Sequence, residues 1–217
     1  ALSELDVFSR YAGAVEARRN RNSRDGFGGI GIHFKFKAGI ARITQVMQDT
    51  PAEQSGLKVG DHITHINGMT VGRSSRDISL KLRGPANAEV RVTVFRASEE
   101  RSLEVEMTRR HIVPSTVTAR LEDNILYMRI SNFNQGTASS VAEELERSKA
   151  NAKDGLSGII LDLRGNPGGL LKQSIKVADL MLTHGHILST KGRHPDSLHH
   201  YEAGGRDLAD GLPMVVI

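Results

Sequence analysis

The sequence predicts an α+β unit followed by an α/β unit: a small, partly open β-sandwich with two short helices, then an incomplete α/β layer. Three observations predict it. Between residues 26 and 110, short runs of alternating apolar and polar residues are separated by Gly, Asn and Ser turns. Beyond residue 110 the order becomes strand, helix, strand, helix, strand, the pattern of parallel strands covered by helices. A continuous apolar run, Ile159-Ile160-Leu161, then meets a turn holding four Gly or Pro residues among six, from Arg164 to Gly169.

Residues 1–25 form a polar N-terminal segment. Its apolar residues Leu2, Leu5, Val7, Phe8 and Tyr11 come early, and the arginine-rich stretch at 18–24 reads as a solvated or mobile segment. Gly26-Phe27-Gly28-Gly29-Ile30-Gly31 satisfies G-x-G-x-x-G, but a dinucleotide fingerprint needs a strand before it and a helix after it. Here Ile30, Ile32, Phe34 and Phe36 alternate with Gly31, His33, Lys35 and Lys37, a half-buried strand, so nucleotide binding is rejected.

A second strand runs over Ile40–Val46, and Pro51 opens a single helical turn that Gly56 ends. The strand His62–Ile66 closes on Asn67-Gly68, a tight-turn signal. Ser75–Leu82 reads as a helix, with Ser74 or Ser75 as its cap and Asp77 in its first turn. Val90, Val92 and Val94, then Leu103, Val105 and Met107, alternate on either side of Ser98-Glu99-Glu100 and make a hairpin. Another hairpin turns at Glu122-Asp123-Asn124. An amphipathic helix follows over 137–150, with Thr137 as its cap, then the buried strand, the glycine turn and a helix carrying Leu171, Ile175, Ala178 and Leu182. Weaker strands lie at 187–190 and 198–201, and a new apolar strand begins at Pro213.

Composition sets bounds. A chain of 217 residues with 38% hydrophobic side chains suffices for one or two packed cores, and 4% aromatics without Trp make those cores aliphatic. The net charge of +4 is mild and its cations are spread out, without the clustered basic face and stacking aromatics of a nucleic-acid binder. There is no cysteine, so neither a disulfide nor a thiol nucleophile is available. No apolar run approaches the roughly 20 residues of a membrane span, and Ala1-Leu2-Ser3-Glu4 is no signal peptide.

Thr50-Pro51-Ala52, then Gly56-Leu57-Lys58-Val59-Gly60-Asp61-His62-Ile63-Thr64-His65-Ile66-Asn67-Gly68, resembles the PDZ phrase P-A…G-L-x-x-G-D-x-I-x-x-I-N-G. The resemblance implies a groove that adds a peptide C-terminus as a strand at a sheet edge, its carboxylate caught by backbone N–H groups. Mapped here, the carboxylate loop is Gly29, Ile30, Gly31 and Ile32, and the groove lies between the strand from Ile32 to Phe36 and the helix carrying Ile78 and Leu80. Ile30, Ile32 and Leu80 also fit a reading as core residues.

Asp162-Leu163-Arg164-Gly165-Asn166-Pro167-Gly168-Gly169 resembles the D-L-R-x-N-P-G-G signature of the C-terminal processing (tail-specific) serine peptidases. A bare glycine turn before a helix is also an ordinary βα connection. The family resemblance implies a Clp-protease/crotonase-like core, a serine nucleophile with a lysine base, and an oxyanion hole to which Gly168 and Gly169 lend N–H donors. It also implies a periplasmic or membrane-anchored extracytoplasmic setting. Leu5-Asp6-Val7-Phe8-Ser9-Arg10-Tyr11 resembles the phrase that ends the family's helical region, with Val7 where proline is favoured. The domains expected are the N-terminal segment 1–25, a PDZ domain over 26–110 and a peptidase core over 111–217.

Within the chain no nucleophile and base emerge. Ser55-Gly56-Leu57-Lys58 has S-x-x-K spacing but straddles a helix stop, and Lys172 and Ser174 point different ways on a helix. The family's serine phrase follows a strand of the kind at 213–217, so nucleophile and base are expected beyond Ile217, and the chain alone is expected to be inactive. His184, His186, His194, His199 and His200 crowd the last segment without metal-ligand spacing, so they read as surface histidines, and no metal or cofactor is expected. The expected partners are protein or peptide C-terminal tails. The apolar strand at the C-terminus predicts self-association. The competing reading is a non-catalytic tail-binding adaptor with a peptidase-like half-fold.

Overall fold

The computed structural model describes residues 11–72 and 74–217. The phrase at 5–11 lies, apart from Tyr11, outside the described residues. The arginine-rich stretch, expected as a solvated or mobile segment, is part of a helix, α1 (Ala14–Asp25), polar almost throughout. Its last turn is tied down by the Gln135 amide, which donates to the Arg24 carbonyl at 3.0 Å.

The chain folds as two compact units. One comprises Gly26–Ile112. It opens with β1 (Phe27–Gly29), followed by β2 (Ile32–Lys37), β3 (Ile40–Val46), the short α2 (Pro51–Gln54), β4 (His62–Ile66), β5 (Met69–Thr70), α3 (Ser75–Leu82), β6 (Glu89–Arg96), β7 (Arg101–Thr108) and β8 (Arg110–Ile112). The main sheet has the order β2-β3-β4-β6-β7, with β5 beside β4. Asn67 and Gly68, both at positive φ (52° and 75°), make the expected tight turn between β4 and β5. The Ser74 hydroxyl caps α3, accepting from the Asp77 amide at 3.1 Å.

The predicted strand from Ile30 is shorter than the alternation suggested. Gly31 sits at φ 85°, where a Cβ would lie 2.3 Å from Thr50 Cβ, so the backbone breaks there and β2 starts at Ile32. The residues before the break turn away to form β1, which pairs antiparallel with β8. The core is aliphatic: Ile43, Ile63, Ile66, Ile78, Val92 and Val94 are fully buried.

The other unit joins Val113–Ile217 to the N-terminal residues through Asp25. It holds β9 (Val117–Glu122), β10 (Ile125–Ile130), α4 (Thr137–Asn151), β11 (Gly158–Asp162), α5 (Leu171–Asp179), β12 (His186–Thr190), β13 (His199–Glu202) and β14 (Met214–Val216). Its sheet has the order β14-β11-β10-β9. β11 is parallel to both β10 and β14, while β9 and β10 form the expected hairpin. Central placement explains the unbroken apolar run of β11, four of whose five residues are buried. Leu126, Met128, Ile130, Val141, Leu145 and Ile159 fill the core.

One cap differs from expectation. Thr137 lies inside α4 and is buried, its hydroxyl accepting from the Asn134 amide at 2.8 Å and meeting Thr116 Oγ1 at 2.8 Å. Asn134 receives the Gly136 amide through its own side chain instead.

Candidate functional site

β2 ends its sheet, hydrogen-bonded to β3 on one side only. An edge strand presents unpaired N–H and C=O groups, the template for another strand. Beside that edge lies a concavity lined by Gly29, Ile30, Gly31, Ile32 and Phe34, with Ser79, Leu82 and Arg83 of α3 and its C-terminal cap across from them and Phe27 at one end. Arg83 lies over the Phe27 ring, 3.8 Å from its centroid.

The four predicted loop residues therefore line the concavity, but the two predicted helix residues do not. Ile78 is wholly buried in the core, and Leu80 is 58% exposed. The physical reason is helical phase. With the cap at Ser74, the stripe facing β2 falls on Ser79, Leu82 and Arg83, one step away from Ile78 and Leu80.

Two buried arginines hold this unit's frame. Arg96 forks onto Asp61, Nε to Oδ1 and Nη2 to Oδ2 both at 2.8 Å, and Nη2 also donates to the Gly56 carbonyl. Burial opposes ionisation of Asp61, but the Arg96 fork and the Lys58 amide outweigh it and hold the carboxyl below its usual range. This explains the Gly60-Asp61 step of the PDZ-like phrase: the aspartate closes the loop after α2. Arg109 donates to the carbonyls of Leu82 (3.0 Å), Lys81 (3.0 Å) and Glu89 (2.8 Å), a cationic cap on the C-terminus of α3.

The glycine turn of the other unit is built outward from Asp162, which is fully buried at the end of β11. Its carboxylate accepts from Arg164 Nε and Nη2 and from the Arg164 amide, each at 2.9 Å, and from the Tyr127 hydroxyl. The Arg164 side chain, then the Tyr127 hydroxyl and the Arg164 amide, hold this carboxyl far below the usual range. Asn166 clamps the next stretch, donating to the Ile130 carbonyl at 3.0 Å. Gly169 passes so close to Phe133 that a Cβ would lie 2.1 Å from its carbonyl oxygen.

The two predicted donors differ. The Gly168 amide is turned inward onto Asn166 Oδ1 at 2.7 Å. The Gly169 amide meets no acceptor among the described residues, because its bridge to Phe133 uses only the Gly168 carbonyl and the Leu170 amide. Gly169 is exposed just before α5, so of the two amides its N–H alone is left without a partner among the described residues.

Comparison with known proteins fits both halves. Residues 28–107 match the PDZ domain family and residues 124–217 match peptidase family S41. The chain joins a PDZ domain to part of a family S41 peptidase core. A carboxy-terminal-processing protease of Bartonella bacilliformis is 34% identical over 219 residues, covering 100% of this chain and 50% of that protein. A probable CtpA-like serine protease of Staphylococcus haemolyticus is 32% identical over 179 residues, covering 82% and 35%. Among solved structures, the photosystem II D1 C-terminal processing protease aligns with a TM-score of 0.45 at 22% identity, over 100% of this chain and 57% of that one. The chain thus spans half or less of the length of these two curated relatives.

In the PDZ domain the S-x-x-K pair is spoken for: Ser55 donates to the Ala52 carbonyl at 3.1 Å and Lys58 pairs with Glu99 at 3.6 Å. In the S41 segment Ser174 donates to the Leu171 carbonyl at 2.8 Å. Among the described residues no group of three or more His, Asp or Glu is arranged to hold a metal. His186, His199 and His200 lie on β12 and β13, where Ser189 Oγ lies 2.7 Å from both His186 Nε2 and His200 Nδ1. Sequence reasoning missed Tyr127, Phe133, Ser79, Leu82 and Arg83. For Tyr127 the available signal was its place on the strand beside Asp162.

Proposed function

We propose that the chain belongs to a serine-type endopeptidase of the C-terminal processing class, in which the PDZ domain captures protein tails and the core cleaves the bound chain. A tail adds to the open edge of β2, and its carboxylate is held by backbone N–H groups of the loop at 29–32. Its last side chain sits against Ile30, Ile32 and Leu82. In the core, the Gly169 amide donates to the oxyanion that forms when a nucleophile attacks the scissile carbonyl. The reading assigns no serine or lysine of this chain as nucleophile or base. The hydroxyl of Ser174, near the turn, donates to the Leu171 carbonyl.

The observation that carries the reading is the open edge of β2 facing Ser79 and Leu82 across a concavity that ends at Gly29 and Gly31. Isothermal titration with an apolar-ended peptide and with its C-terminal amide tests it. The free acid is expected to bind at least tenfold more tightly, about 1.4 kcal/mol. Equal binding of the two removes the carboxylate role.

A further inference from the structure

We infer that the tails captured at β2 carry acidic side chains at the fourth and sixth positions from their end. This rests on the groove reading above and adds to it the chemistry of the second face of the docked strand. Successive side chains of a strand point to opposite faces. When the last residue of an antiparallel strand faces inward opposite Ile32, the third-last faces inward opposite Phe34. The fourth-last and sixth-last then lie on the outer face, directly beside Lys35 and Lys37.

That outer face is positive and unbalanced. His33, Lys35 and Lys37 are all exposed, alternating with the half-buried Ile32, Phe34 and Phe36. Arg42 stands directly across from Lys35 on β3, and His62 stands next to Arg42 on β4. The strands β2, β3 and β4 contain no Asp or Glu. Among the described residues, the side chains of Lys35, Lys37 and Arg42 have no ion-pair or hydrogen-bond partner.

The far half of the same sheet is different: there Arg91 pairs with Glu104 and Glu106, each at 3.6 Å. Cations are thus left unneutralised only toward the edge where a strand adds. A carboxylate directly opposite a lysine is a favourable cross-strand pair.

The test uses the 217-residue chain and fluorescein-labelled peptides ending in valine with a free carboxylate. They carry Glu, Gln or Lys at the fourth and sixth positions from the end. At low salt the Glu peptide is expected to bind about three- to tenfold more tightly than the Gln peptide, and the Lys peptide more weakly than either. The gain shrinks at about 0.5 M salt. Moving the same two glutamates by one residue keeps the net charge but turns them toward α3, so the gain is expected to vanish.

In the double variant Lys35→Glu, Lys37→Glu the order of the Glu and Lys peptides reverses while the Gln peptide binds unchanged. If that variant fails to bind the Gln peptide, the shifted-glutamate series on the unaltered chain decides. Equal affinity of the original and shifted Glu peptides overturns this inference alone, reducing it to general attraction. Binding of Glu peptides as C-terminal amides as tightly as free acids moves the acidic segment out of the groove and also overturns it. Failure of every peptide to bind sinks the groove reading and this inference with it.

Discussion

Asp162, Asn166 and Gly169 show how few residues fix the glycine turn. The aspartate carboxylate gathers Arg164 and Tyr127 and sets the direction in which the chain leaves β11. The asparagine holds the turn against Ile130. Gly169 is required on two counts, with φ at 151° and no room for a Cβ against the Phe133 backbone. Gly169→Ala must shift main chain rather than a side-chain tip, so a loss of about 2–4 kcal/mol is expected. Hydrogen exchange localises it: amides of β10 and β11 lose protection while those of β4 and β6 keep theirs. An unchanged profile removes the tight approach as a constraint.

At the scale of elements, α3 is the decisive piece, because its phase decides which residues face β2. Eight residues make a helix too short to stand alone, and Arg109 closes its end by donating to Lys81 and Leu82. Burial lowers the Arg109 pKa, the mark of a charge withdrawn from water. Arg109→Met leaves buried carbonyls without donors and is expected to cost about 2–4 kcal/mol in thermal unfolding. It should also weaken tail binding, with Arg109→Lys restoring part of both. A full-strength melt and full binding in the methionine variant would show that α3 holds itself.

The same helix marks where the sequence was legible. Strand alternation, the Asn67-Gly68 turn, a serine cap at 74 or 75 and the glycine turn are local signals; each marked its element, although alternation placed the start of β2 two residues early. Ile78 and Leu80 were misplaced because apolar character alone does not say whether a helix position faces core, groove or solvent. Asn166 taking the Gly168 amide is likewise a choice among hydrogen-bond partners that no residue pattern announces. Phe133 meeting Gly169 depends on how β10 and the turn lie together in space.

At the scale of the whole molecule, the proposed function gives capture and cleavage to separate units, so they should be separable in assay. The 217-residue chain is expected to bind tails without cutting them: an unstructured peptide incubated with pure protein should remain intact by mass spectrometry. Time-dependent cleavage would overturn that expectation and show that this chain carries a nucleophile of its own. A Ser189→Ala variant would then show whether the hydroxyl between His186 and His200 is responsible.

The pairing of β1 with β8 has a mechanical consequence. Phe27 lies opposite Ile112 and Gly29 opposite Arg110, so the chain enters and leaves the PDZ domain through one two-stranded clasp. Tension applied at the two ends peels that clasp open from Phe27 toward Gly29 while the main sheet stays unloaded. Gly29 also borders the concavity at the edge of β2, so the last rung to part belongs to the loop proposed to hold the tail.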